Sequence, residues 1–173
     1  RDWNHVKAVM DGPIGKDYRA RIAKDLQVEI VDYYYAGARI VNLREARNVR
    51  TPDDLKGVKI RVQNNPIEVK VWKTFGAIPT PMNFGEVYQA LQSGVLDAAE
   101  NGLAVIESNK HNEAAKYISQ TEHQRNLSAL YINEKKLAGL PPDLQKIVLD
   151  SAREAAEQLG LLRQQAHCDA LTG

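Results

Sequence analysis

The chain of 173 residues is 43% hydrophobic and 26% charged, enough for one domain or for part of a two-lobed protein. Lysine and arginine total 23 against 22 acidic residues, so no basic field favours nucleic acid or an anionic membrane, and a small specific ligand fits better. The single cysteine, Cys168, excludes an intramolecular disulfide and a multi-cysteine metal site.

Residues 1–36 predict two helices followed by a strand. Apolar residues at helical spacing end at Gly12, Pro13 opens a second helix with an apolar stripe, and VEIVDYYY is typical of a strand. A layer of this kind needs further strands to cover its sheet, so we expect the chain to be a fragment or part of a larger protein. No run of about 18 apolar residues predicts a membrane span.

The segment from Thr51 to Asn101 predicts alternating strands and helices. Thr51 caps a short helical turn, and GVKIRV follows as a strand with Arg61 on its polar side. A helix, the proline-rich AIPTPM and a helix capped by Asn83 come next. We then expect a short strand from Val95, a turn at residues 100–102 and a helix to about residue 117. The alternation indicates an α/β fold.

The last third predicts strands and then one long helix. Two strand-like runs, around Ile118 and from Leu127 to Ile132, are joined by a polar segment containing His123. From Pro141 onward, apolar residues recur at helical spacing over about thirty residues, and such a helix is longer than one small domain needs. We therefore expect it to brace two lobes.

Arg61 is the first candidate for a binding site. Its guanidinium offers five donors in a planar fork that matches a carboxylate, and ligands of α/β proteins bind beyond the carboxyl ends of strands. Arg39, just after Gly37, is a candidate second contact, and Asn101 both donates and accepts. The alternatives are solvated arginines on a strand and an ordinary turn residue.

Other residues give weaker signals. Phe84 borders a proline-rich loop, and we expect it either in the core or in the wall of a pocket. His123 is typical of a histidine at the surface or in the core. The four histidines lack metal-ligand spacing, and GxSxG, GxGxxG and GKS/GKT motifs are missing, so no metal or cofactor is predicted. Glu100 is a weak acid/base candidate, because acidic turn residues are mostly solvated.

Four motifs carry a resemblance to a known family: TPDDLKGVKIRV, FGAIPTPMNFGEVYQALQSGVLDAAENGLAVI, KYISQTEH and LPPDLQKIVLDSAREAA. In this order and spacing they resemble the solute-binding proteins of tripartite ATP-independent periplasmic (TRAP) transporters, of the dicarboxylate-binding type. The resemblance implies two α/β lobes, joined by crossing strands and a long C-terminal helix, that close over an organic acid.

The resemblance also implies a ligand site. Arg61 matches the arginine that forms the principal salt bridge with the ligand carboxylate, and Arg39 the second arginine. The remaining matches are an amide contact, a pocket aromatic, a polar residue after the strand and a histidine near the site in some members: Asn101, Phe84, Asn64 and His123.

We therefore expect a remnant of the N-terminal lobe at residues 1–36, a ligand-binding lobe at 37–124, and a crossing strand with a hinge helix at 125–173. The implied function is a periplasmic receptor, monomeric and not an enzyme, that needs no cofactor and delivers an organic acid to the TRAP permease. The alternatives are an enzyme or ligand sensor on a related two-lobed α/β scaffold, and a fragment inactive for want of half its cleft.

Overall fold

The computed structural model describes residues 3–172, with side chains from residue 4 to residue 162, so His167 and Cys168 lie outside the described side chains. Within that range the helices are α1 (Trp3–Asp11), α2 (Pro13–Leu26), α3 (Pro66–Thr74), α4 (Val87–Ser93), α5 (Leu103–Ser108), α6 (His111–Ala114), α7 (Glu134–Ala138) and α8 (Pro142–Thr172). The strands are β1 (Val28–Leu43), β2 (Lys59–Val62), β3 (Ile78–Pro81), β4 (Ala98–Gly102) and β5 (Tyr117–Asn133). Short 3-10 helices span Pro52–Leu55 and Phe84–Glu86.

The five strands form one mixed sheet in the order β3-β2-β4-β1-β5. β2 is parallel to both β3 and β4, whereas β1 is antiparallel to β4. β3 contains two prolines and lies at the sheet edge, where a missing backbone donor is tolerated. The mixed α/β sheet and the 31-residue helix α8 confirm the predicted fold class.

The chain divides into two compact units. One comprises the residues up to Ala36 together with those from Asn126, and the other is Gly37–Arg125. The boundaries at residues 36/37 and 125/126 fall within β1 and β5. All six predicted site residues lie in the Gly37–Arg125 unit.

In the Gly37–Arg125 unit both faces of the sheet are covered. One face packs on a core of ten buried residues that includes Val41, Ile60, Ala98 and Trp72. The other packs on a smaller core that includes Ala99 and Leu91 of α4. Because successive side chains of a strand point to opposite faces, Arg61 lies on the opposite face from Ile60. The face predicted to be polar is therefore buried.

Three strands differ from the predictions. β1 continues through Gly37, whose φ of 91° suits glycine, as far as Leu43. Residues 100–102 belong to β4 and do not form the predicted turn, because β4 pairs with β1 as far as Gly102. β5 is one strand of 17 residues where two runs were predicted, and Glu122 in its middle has a φ of 42°.

The helices also differ in detail. The helix predicted to run to residue 117 is broken into α5 and α6, because Lys110 adopts the left-handed conformation. In α3 the packed residue is Trp72, at 1% exposure, whereas Ile67 is 71% exposed. α7 has no counterpart among the predicted elements. Asn133 caps it by accepting a hydrogen bond from the Lys136 backbone N–H.

The other unit contains α1, α2 and α8. Gly15 is needed there because a Cβ atom would lie 1.9 Å from the carbonyl oxygen of Met10. Tyr18 and Leu26 of the predicted apolar stripe on α2 are 49% and 64% exposed. A cavity of about 520 Å³ is lined by residues of α1, β1 and α8, and none of the predicted site residues lines it.

Candidate functional site

Arg61 is the buried cation of the smaller core. It is 5% exposed, and its Nε and Nη2 groups donate to the Met82 carbonyl oxygen at 3.1 and 2.9 Å. Its Cζ atom lies 5.6 Å from the centre of the Phe84 ring. Among the described residues no carboxylate oxygen lies within 4.0 Å of this guanidinium. The protein partners of Arg61 are therefore neutral groups.

The charge of Arg61 is held in an unfavourable environment. Burial is the largest cause of a lowered pKa of its guanidinium; Arg39 lowers that pKa further, and Glu100 opposes the shift. An arginine nevertheless stays protonated at neutral pH. A buried charge is stabilised mainly by a hydrogen-bonded counter-ion, so this position favours an anionic ligand.

Arg39 and Glu100 form a buried ion pair on the opposite face. Arg39 Nε donates to Glu100 Oε2 at 2.5 Å and Nη2 donates to Oε1 at 2.6 Å, while the two residues are 6% and 3% exposed. Nη2 also donates to the Glu100 carbonyl oxygen at 3.1 Å. The guanidinium of Arg39 thus binds a carboxylate of the protein, whereas the sequence predicted that it would bind a carboxylate of the ligand.

His123 extends this ion pair to β5. Its Nε2 atom lies 3.4 Å from Glu100 Oε2, its Nδ1 atom lies 2.8 Å from Thr121 Oγ1, and its ring packs edge-on against Trp72. Burial alone would raise the pKa of Glu100, but the hydrogen bonds with His123 and Arg39 and their charges outweigh burial and lower it. Glu100 is therefore a carboxylate at neutral pH.

The side chains of Arg39 and Arg61 lie on opposite faces of the sheet. In the β1–β4 register Val41 is opposite Glu100, so Arg39 shares the face of Val41 and of the larger core. Arg61 shares the face of Ala99. The charge of Arg39 still reaches Arg61, because it contributes to the lowered pKa of Arg61. The structure brings the arginines near each other without an acceptor common to both.

Asn101 lies on β4, on the same face as Ala99 and Arg61. Its side chain is half-buried, and its Oδ1 accepts a hydrogen bond from the Gly102 backbone N–H at 2.9 Å. Phe84 is 38% exposed and contacts Arg61. Asn64 follows β2 in an exposed position. Arg61, Phe84 and Asn101 thus lie at or just beyond the carboxyl ends of the three parallel strands β2, β3 and β4.

Glu100 and His111 were not predicted to belong to the site. Alternation along VLDAAENG, residues 95–102, indicates the buried position of Glu100 once residues 100–102 are assigned to a strand. His111 is 3% exposed, and its ring centre lies 5.4 Å from that of Phe84. Burial and then the charge of Arg61 lower the pKa of His111.

Within the part of the chain that is described, no three histidine, cysteine or acidic residues are grouped so as to hold a metal ion. None of the described helices combines the length and the apolar composition that a membrane-spanning segment needs.

Among the described residues Arg61 has no counter-ion, and it lies at the carboxyl ends of parallel strands, an arrangement that suits a small anionic ligand in an α/β fold. The family model DctP, bacterial extracellular solute-binding protein, family 7, matches residues 1–169, and the chain belongs to this family. Proteins of this family are extracytoplasmic receptors for transport and not enzymes.

Two relatives match most of the chain, and one of them is named for its ligand. The chain is 42% identical over 163 residues to the solute-binding protein RD1_1052 of Roseobacter denitrificans, covering 94% of this chain and 50% of the relative. It is 38% identical over 155 residues to the 2,3-diketo-L-gulonate-binding periplasmic protein YiaO of Escherichia coli, covering 90% and 47%. The chain therefore spans about half the length of these relatives.

Solved structures agree with the fold. The crystal structure of RD1_1052, a TRAP periplasmic solute-binding protein with bound L-galactonate, matches with a TM-score of 0.85 and 38% identity, covering 96% of this chain and 55% of that one. A TRAP periplasmic solute-binding protein from Sulfitobacter sp. NAS-14.1 with bound β-D-galacturonate matches with a TM-score of 0.86 and 32% identity, covering 96% and 55%. Both bound molecules are sugar acids.

Proposed function

We propose that the protein is a periplasmic receptor that binds a sugar acid through Arg61 and delivers it to the TRAP permease. The observation that carries the proposal is the Arg61 guanidinium, which is 5% exposed and hydrogen-bonded to a neutral carbonyl. A ligand carboxylate supplies the missing counter-ion in bidentate geometry. The sugar acids bound by the relatives carry this group.

The neighbouring residues have separate roles in this proposal. Phe84 provides an apolar wall beside the guanidinium, and Asn101 has an Nδ2 group suited to a ligand oxygen. Asn64 is an exposed polar contact at the end of β2. Arg39 and His123 contact Glu100 and act on the site through it, and the affinity of Arg39→Ala and His123→Ala variants tests whether either residue contacts the ligand directly.

The permease partner and the monomeric state also belong to the proposal. A receptor that exchanges its ligand with a membrane protein needs an accessible face, which a monomer leaves uncovered. We do not favour the alternative of an enzyme or ligand sensor, because the named relatives are solute-binding proteins. Steady product formation from a sugar acid would reverse that preference.

The test is ligand binding by the full-length protein. A thermal-shift screen of L-galactonate, D-galacturonate and 2,3-diketo-L-gulonate identifies a ligand, and calorimetry measures its affinity. We expect Arg61→Ala to weaken binding by more than about a hundredfold, because it removes a buried charge-assisted contact. Arg61→Lys keeps the charge without the fork and should give an intermediate loss.

The control is Arg47→Ala. Arg47 is exposed and its Nη1 group donates to the Asp54 carbonyl oxygen, away from the site, so this variant should bind as the wild type does. Undiminished affinity in Arg61→Ala would exclude Arg61 as the carboxylate ligand. If no acid in the screen stabilises the wild type, the proposed ligand class is wrong.

A further inference from the structure

His111 is a buried histidine beside the Arg61 site. It begins α6 and is 3% exposed, and its ring is tilted by 56° against the ring of Phe84. Among the described residues its ring nitrogens have no hydrogen-bond partner, although its carbonyl oxygen accepts from the Ala115 N–H. Neither nitrogen belongs to the fully buried side-chain atoms that lack a partner, so solvent reaches the edge of the ring that carries them.

Phe84 connects His111 to the cation. Its ring centre lies 5.4 Å from that of His111 and 5.6 Å from the Cζ atom of Arg61. The Phe84 ring screens the electrostatic interaction between the two side chains poorly, because it supplies neither a counter-ion nor water. His111 and Arg61 therefore repel each other whenever His111 is protonated.

The other charged groups near α6 are exposed. α6 packs against α4 and α5, and the titratable or charged residues on these elements and on the segment of Phe84 are Glu86, Tyr88, Glu107, Lys110 and Glu113. Tyr88 is half-buried and the rest are exposed, with Lys110 and Glu113 3.9 Å apart. Exposed charges are screened by water, so Arg61 dominates the field at His111.

We infer that His111 is a further residue of the ligand site, which supports the ring of Phe84 and takes up a proton when the negative charge of a bound acid covers Arg61. This rests on the proposed function. A carboxylate on Arg61 cancels the repulsion that keeps His111 neutral. Proton and acid then bind cooperatively, and each raises the affinity of the other.

The direction of the pH dependence follows from the protonation state of His111 in the free protein and in the complex. His111 is neutral in the free protein over the pH range in which it is charged in the complex, so binding takes up protons there. The affinity for the acid should rise as the pH falls below the ordinary histidine pKa of about 6.5, because burial, the largest cause of the lowered pKa of His111, persists in the complex. A ligand carboxylate stays ionised throughout.

The first test needs no ligand. The His111 ring resonances are followed by NMR against pH in the full-length wild type and in Arg61→Gln, with His111→Gln providing the assignment. We expect the pKa of His111 to be higher in Arg61→Gln, because the neighbouring cation is gone. An unchanged titration of His111 overturns the inference.

The second test is calorimetry with D-galacturonate at pH 6 in phosphate and in bis-Tris, whose ionisation enthalpies differ. Wild type should take up a fraction of a proton on binding, and His111→Phe, which keeps an aromatic ring against Phe84, should bind without uptake. His5→Gln, in the other unit, should behave as wild type. Uptake that persists in His111→Phe refutes the inference.

The two tests separate the possible failures. If D-galacturonate binds equally well to Arg61→Ala, the proposed function of Arg61 is wrong. If Arg61→Ala loses binding while His111→Phe keeps full proton uptake, only the role of His111 is wrong. If D-galacturonate does not bind, the NMR comparison still decides whether Arg61 controls His111.

Discussion

Replacing Glu100 with glutamine should greatly lower the free energy of unfolding. The variant keeps the size of the side chain and removes the only carboxylate that contacts Arg39 among the described residues. Arg39 is 6% exposed, so its charge would remain buried without a counter-ion. Breaking a buried pair in this way costs about 3 to 5 kcal/mol, which is a large part of the stability of a small domain.

The assay is equilibrium unfolding in urea, with the midpoint read at constant slope. The matched control is Glu113→Gln, because Glu113 lies 3.9 Å from Lys110 with 55% of its side chain exposed. We expect the control to lose less than about 0.5 kcal/mol. Adding Arg39→Met to Glu100→Gln should restore stability, since neither position of the pair then carries a buried charge. A loss below about 1 kcal/mol in Glu100→Gln refutes the reasoning.

The remaining predictions use the same assay. Because the pKa of Glu100 is lowered in the folded state, its contribution is present above the ordinary glutamate pKa of about 4.3 and is lost as the pH falls through the folded value. Wild type should therefore lose stability more steeply than Glu100→Gln in acid, and equal slopes contradict this. Gly94→Ala should cost about 1 kcal/mol or more, because Gly94 has a φ of 81°. Gly85→Ala is its control, since a Cβ there meets nothing within 4 Å. Asn42→Leu should raise the free energy of unfolding by about 1 kcal/mol, because Asn42 is 0% exposed with neither amide atom hydrogen-bonded among the described residues. A loss of stability would mean that the amide has a partner.

Elements with strong local signals were predicted well. Thr51 and Asp54 form the capping box of a 3-10 helix, and β2 follows soon after Gly57, with Ile60 and Val62 of the strand and the preceding Val58 buried. The two prolines of β3 predicted an irregular position, and β3 lies at the edge. Local rules suffice here because caps, prolines and alternation act within a few residues.

Elements that depend on distant partners were predicted less well. Residues 100–102 look like a turn because they contain asparagine and glycine, yet pairing with β1 extends them into a strand. β5 likewise remains one strand across the polar residues near His123. In each case hydrogen bonds to a strand far away in the sequence outweigh local preference.

The sequence by itself determined the α/β class, the long C-terminal helix and Arg61 as the candidate carboxylate ligand. Only the tertiary structure decided which charges meet. It pairs Arg39 with Glu100 across 61 positions of the chain, and it places Arg61 against a carbonyl oxygen and Phe84, with His111 in the field of Arg61. Electrostatic partners are set by distance and burial in three dimensions, and neither quantity can be obtained from the order of residues in one strand.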